Sequence, residues 1–138
     1  MDYDLERFYK VQKFDYPMAL NEIKNGQKES HWMWYIFPQL KELGYSSTAR
    51  YYGLTKDEAI AYIKDEVLKS RLMEISNVLL ELKSNDATEI FGYPDDLKLK
   101  SCMTLFSEIA PEIKVFDKVL EKFFSGKKDN KTVELLKK

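Results

Sequence analysis

Imidazole chemistry, if this chain performs any, has one address. His31 is the only histidine, and histidine alone among side chains has an unperturbed pKa near neutrality, so any acid–base step through an imidazole must use it. It stands in the segment SHWMWYIFPQ, residues 30–39, beside Trp32 and Trp34. At the mouth of an aromatic pocket it could trade protons with a ligand; within a helix packing it would simply be a satisfied polar group. Trp32, Trp34, Tyr35 and Phe37 could stack a flat ligand such as a nucleobase, with Gln39 directing hydrogen bonds to it. On a helix, however, residues 32, 35 and 36 share one side and 34 and 37 another. Packing between neighbouring helices accounts for rings on both sides.

A second group of polar residues gathers in DDLKLKS, residues 95–101. Asp95 and Asp96 could divide acid and base roles, and backbone amides at a helix start, with Lys98, could hold an anion. The plain alternative is capping by an aspartate and an i,i+4 Asp96–Lys100 pair, worth about 0.3–0.5 kcal/mol. Ser101 and Thr104 lie three apart and can share a face, but the single histidine is far away in sequence, so no nucleophile–base spacing is present. Cys102 sits inside an apolar stripe, where burial favours the inert neutral thiol.

Other chemistries lose support. The chain lacks a phosphate-binding glycine loop, a dinucleotide glycine signature, an H-E-x-x-H helix and a G-x-S-x-G elbow, and no cofactor is implied. One cysteine and one histidine cannot supply the four ligands of structural zinc. Twenty-two basic against 23 acidic residues give a net charge of -1, which draws no phosphate backbone, so nucleic acid is not an expected partner. The lysines at 127, 128, 131, 137 and 138 are interrupted by Asp129 and Glu134 and read as a solvated face. The longest stretch free of Asp, Glu, Lys and Arg, residues 30–40, is far shorter than a membrane span of roughly 20 residues. A lone cysteine and an opening without a basic, then apolar, leader point to a reducing cytoplasm.

The elements that must position these residues read as helices. Leu5, Phe8, Tyr9 and Gln12 face one way on a first short helix, with Asp4 and Arg7 paired along its outside. A second starts at an Asp15 cap, carries Pro17 in its first turn and stops at Asn25–Gly26, making an opening hairpin. Ser30 caps the aromatic segment and Pro38 ends it near Phe37. Residues 48–52 form one turn before Gly53. Thr55 and Glu58 have capping-box spacing, and Asp65 recaps a long helix bearing Leu68, Leu72, Ile75 and Leu79. After a short helix at Ile90–Phe91, Asp95–Asp96 caps a helix striped by Leu99, Cys102, Met103, Phe106 and Ile109. Beyond Pro111 a wide apolar face runs from Val115 to Phe124 and closes at Gly126; Asp129 caps the last helix. No period-two alternation competes, so the expected fold is all-α, one multihelical domain over residues 1–138 with seven or eight helices.

In their order and spacing, SHWMWYIFPQL (30–40), FGYPDDLKLKSCMTLF (91–106) and VFDKVLEKFFSGKKDNKTVELL (115–136) resemble the uncharacterised bacterial family called domain of unknown function 1810, sometimes labelled calpastatin. The likeness runs from about Leu5 to Leu136 and implies a small multihelical protein without an established activity, hence no functional residues to carry over. Composition contradicts the calpastatin label: an inhibitor of that kind is a disordered repetitive chain, whereas two tryptophans, nine tyrosines and eight phenylalanines demand a core.

The expectation for function is a pocket between the two rich segments that holds a small polar or anionic metabolite through His31, Trp34, Gln39, Asp96, Lys98 and Ser101, with His31 and Asp96 as candidate catalytic groups. The alternatives are an interaction module without catalysis, using surplus aromatics as an exposed patch, and an enzyme acting on a nucleotide or ADP-ribose derivative. Oligomeric state is not readable from these residues.

Overall fold

Phe8, Gln12, Tyr16, Ala19 and Ile23 recur in steps of three and four, and in the computed structural model, which describes residues 4–138, all five are buried on one face of a single helix, α1 (Glu6–Lys24). The expected opening hairpin is therefore one continuous helix with Pro17 inside it. An interior proline removes one backbone hydrogen bond and costs about 3 kcal/mol. Pro17 and Lys13 both lie on the exposed side, where water can serve the freed carbonyl, and the unbroken buried face on either side offsets the cost. Asp15 does not cap; its carboxylate accepts from the Tyr35 hydroxyl. Arg7 also departs from expectation. It is 8% exposed and turned inward, its Nε donating to the Tyr51 carbonyl at 2.9 Å and its Nη2 to the Gly53 carbonyl at 3.2 Å and to Glu58 at 3.3 Å.

The remaining helices are α2 (Met33–Ile36), α3 (Ser47–Tyr52), α4 (Lys56–Lys64), α5 (Glu66–Glu81), α6 (Ala87–Phe91), α7 (Asp95–Ile109), α8 (Val115–Phe124) and α9 (Asn130–Leu136), with a 3-10 turn at Lys41–Leu43. Among the described residues this makes nine α-helices rather than seven or eight; α2, α3 and α6 have only four to six residues, too few for periodicity to resolve. The fold is all-α. None of the helices among the described residues is long and apolar enough to cross a membrane.

Side-chain caps set several boundaries. Thr55 and Glu58 complete the capping box of α4, Asp65 caps α5 by accepting from the Val67 and Leu68 amides at 3.0 Å, and Asp129 caps α9. At the end of α8, Ser125 and Gly126 take positive φ and the Gly126 amide returns to the Leu120 carbonyl, a geometry glycine adopts freely. Besides Asp15, two expected caps are replaced. The N-cap of α2 is Trp32 rather than Ser30, whose hydroxyl donates to Glu22 at 2.6 Å. The N-cap of α7 is Pro94, leaving Asp95 and Asp96 inside the first turn, where carboxylates suit the helix dipole.

Helix α7 is the centre. Residues 101–107 are buried without a break, because α7 packs against α4, α6, α8 and α9 while α5 lies between α1 and α8. Cys102 is fully buried, and burial pushes its thiol pKa up, away from nucleophilic use.

One crossing outside the helices matters for the site. The Lys41 amide donates to the Leu54 carbonyl at 2.9 Å and the Leu54 amide to the Gln39 carbonyl at 3.0 Å, an isolated parallel bridge between Leu40 and Leu54. Gly53 permits it, since a Cβ there would lie 2.5 Å from the Lys41 Cα. Gly53→Ala is accordingly expected to lower stability by about 2 kcal/mol through overpacking. Urea denaturation measures this; an unchanged midpoint would mean that the 39–41 segment is not held by the crossing.

Candidate functional site

Two of the chemically rich segments meet at the start of α7. An open hollow of about 360 Å³ is lined by Gln39, Leu43 and Tyr45 from the chain around the 3-10 turn, by Pro94, Leu97, Lys98 and Ser101 from α7 and its entry, and by Asp129 and Lys131 at the start of α9. The Leu40–Leu54 bridge holds the first wall, and the central helix supplies the second. The third is pinned from below: the Asp129 amide donates to Thr104 Oγ1 at 2.9 Å, and that hydroxyl donates to the Lys100 carbonyl at 2.8 Å.

Lys98 is oriented on two sides. Its Nζ lies 3.2 Å from Asp95 Oδ1 and 5.2 Å from the centre of the Trp34 ring. The other Asp95 oxygen is 2.9 Å from Lys28 Nζ, which stands 5.2 Å from the ring centre of buried Trp32. One carboxylate thus bridges two ammonium groups, each resting on a tryptophan face, an arrangement cation–π attraction favours. Two lysines, Lys98 and Lys131, line the hollow together with one carboxylate, Asp129, whose Oδ2 accepts from Ser101 Oγ at 3.3 Å and from the Thr132 amide at 3.1 Å; Lys131 has no ion pair among the described residues. Ammonium, amide and hydroxyl groups above apolar Leu43, Pro94 and Leu97 suit a small anion carrying some apolar surface.

Of the six residues expected to converge, Gln39, Lys98 and Ser101 line this hollow, and half-buried Trp34 supports it through Lys98. Asp96 turns the other way. Its Oδ2 accepts from Thr88 Oγ1 at 2.6 Å and its Oδ1 from the Leu97 amide at 2.9 Å, tying α7 to α6; no ion pair joins it to Lys100 among the described residues. His31 is exposed and is not among the lining residues; its carbonyl lies 3.2 Å from the Tyr35 hydroxyl. Thr104 is buried beneath the site, anchoring α9.

Sequence reasoning passed over Tyr45, Leu97, Asp95 as the partner of Lys98, and Lys131. Tyr45 is 98% exposed in a loop without periodicity, so no pattern marks it. Lys131 reads as one lysine in a solvated run, and Asp129 only as a cap; their meeting with Ser101 comes from the return of α9 onto α7.

An α-helical fold with an open hollow, lined by two lysines and an aspartate, at the head of its central helix is the class these features define. The chain belongs to the family described as protein of unknown function (DUF1810), which matches residues 2–136. It is similar to a solved structure, the conserved hypothetical protein Rv1873 from Mycobacterium tuberculosis, with 40% identity over 96% of each chain and a TM-score of 0.93. No curated protein matches the chain.

Proposed function

We propose that this protein binds a small polar or anionic metabolite in the hollow between Gln39, Lys98 and Lys131. The observation that carries the reading is that Gln39, Lys98 and Ser101, from two segments far apart in sequence, line one concavity. Gln39 offers both a donor and an acceptor, Ser101 a hydroxyl, and the two lysines the charge. The reading is one of binding: His31 lies outside the lining, so imidazole catalysis forms no part of it.

The test is a thermal-shift panel of phosphate- and carboxylate-bearing metabolites, since a ligand selective for the native state raises its stability by RT ln(1 + [L]/Kd). Lys98→Ala is expected to weaken the best ligand about tenfold, the worth of one charged hydrogen bond, while Lys118→Ala, at an exposed position of α8, leaves it unchanged. No stabilising compound in the panel, or equal affinity in the Lys98 variant, would overturn the proposal.

A second reading, docking of a protein partner, is favoured by Tyr45 at 98% and Leu97 at 49% exposure on the same rim. It predicts that Tyr45→Ala abolishes a self-association or pull-down signal.

A further inference from the structure

We propose a second binding site in this protein, for a phosphomonoester with an apolar tail, in a separate hollow of about 440 Å³ on the far side of the 39–43 segment. Lys41 on the 3-10 turn, Arg50 on α3, Lys56 on α4 and Lys138 beyond α9 line it, with Glu42 as the one acidic side chain of the lining. A chain whose net charge is -1 has here gathered four cations around one hollow. Its floor is apolar, formed by buried Leu40 and Leu136.

Arg50 carries the argument. The chain has three arginines, and two are committed: Arg7 to Glu58 and to the carbonyls of Asp4, Tyr51 and Gly53, and Arg71 to Gln12 Oε1 at 3.2 Å. Arg50 makes no side-chain hydrogen bond or ion pair among the described residues, yet lines the hollow. A free guanidinium fork fits two oxygens of a phosphate. Lys56 is steered toward the same place, its Nζ 3.4 Å from the Leu136 carbonyl at the end of α9, which leaves two of its three N–H groups for a ligand. The Thr55 oxygen accepts from the Glu58 amide at 3.1 Å, so its own hydrogen is available to the hollow. Phosphate oxygens would sit among Arg50, Lys41 and Lys56, and a short hydrocarbon would lie on Leu40 and Leu136.

The hollow is distinct from the one at α7, although both border the same two elements. Gln39 faces one and Leu40, Lys41 and Glu42 the other; the start of α9 lines one and its end the other. Variants therefore separate them.

The experiment titrates the ¹⁵N-labelled full chain with butyl phosphate and with inorganic phosphate at ionic strength held constant by sodium chloride. Saturable shifts are expected at the Arg50 side-chain Nε–H and at the Lys41 and Lys56 amides. Half-burial of the butyl chain should make its binding about tenfold tighter than that of inorganic phosphate. Arg50→Gln, at an exposed position that leaves folding intact, is expected to weaken butyl phosphate about tenfold, and Lys98→Ala to leave it unaltered. Non-saturating shifts, equal affinity for the two phosphates, equal affinity in the Arg50 variant, or shifts confined to Lys98 and Ser101 would each overturn the assignment.

Discussion

Glu22→Gln is expected to lower the stability of this protein by about 2 kcal/mol. The Glu22 carboxylate is 8% exposed and accepts from four donors: the Glu29 amide at 2.7 Å, the Ser30 amide at 2.9 Å, the Ser30 hydroxyl at 2.6 Å and the Trp32 indole N–H at 2.9 Å. One carboxylate oxygen takes the Glu29, Ser30 and Trp32 N–H groups and the other the Ser30 hydroxyl, so glutamine can keep the first three only by turning its NH₂ on Ser30, whose hydroxyl must reverse, and by serving three donors with a neutral oxygen in place of a charged one. Urea denaturation should show a lower midpoint at an unchanged slope. A loss below about 1 kcal/mol would mean that the loop from Gly26 to Trp32 re-forms around water.

The same carboxylate predicts a pH dependence. Burial alone would raise its pKa, but the hydrogen bonds from Ser30, Glu29 and Trp32 outweigh that and hold it down at about 2, against an ordinary value of 4.5. A depressed carboxyl stabilises the fold above its unfolded pKa and stops doing so as pH falls through the folded one. Wild-type protein should therefore lose up to about 2 kcal/mol, after allowance for solvent screening, between pH 5 and pH 2. Glu22→Gln should lack this portion; identical pH profiles would refute the assignment.

Arg7→Met is expected to cost a further large amount, about 2–3 kcal/mol, for a different reason. The guanidinium joins α1 to the Tyr51 and Gly53 carbonyls and to Glu58, and lies 4.6 Å from the centre of the Phe8 ring. Methionine can replace the packing of the stem but none of the donors, leaving carbonyls underserved and a carboxylate unpaired. Because Gly53 carries the crossing with Lys41, the loss should reach the site. The Leu54 amide, bonded to the Gln39 carbonyl, should exchange with solvent faster than the global destabilisation explains. Exchange that tracks global stability alone would confine Arg7 to the α1–α4 contact. Glu58→Gln should cost less, since the oxygen that serves the Thr55 amide is retained.

These two residues show where sequence reasoning reached and where it stopped. Helical spacing and local capping rules account for α4, α5, α9 and the end of α8: the Thr55–Glu58 box, Asp65, Asp129 and Gly126 act through neighbours a few positions away, so their roles are visible in a short window. Apart from the bond of Arg7 to the Asp4 carbonyl, Glu22 and Arg7 act on partners 7 to 51 positions away, and a charged residue on an amphipathic helix reads as solvent-facing until its partner is known. Pro17 misled for the same reason: local rules break a helix there, while burial of Tyr16, Ala19 and Ile23 against distant elements carries it through.

The candidate site divides along the same line. Gln39 is legible as a polar residue at the end of an apolar segment, and Lys98 and Ser101 as members of a polar cluster at a helix start. Asp95 and Asp96 were distinguishable only by helix rotation, and one position decides whether a carboxylate meets Lys98 or Thr88. His31 drew notice for its chemistry, but its neighbour Trp32 is the residue drawn inward, by the indole bond to Glu22.

The central claim, that the hollow at the head of α7 receives a small anionic metabolite, is tested most directly by mapping the amide shifts of ¹⁵N-labelled protein with the most stabilising compound from the metabolite panel. Saturable changes centred on Gln39, Lys98, Ser101 and Lys131, lost in Lys98→Ala, are the predicted result. Changes that leave those four amides unmoved while the compound binds elsewhere would contradict it.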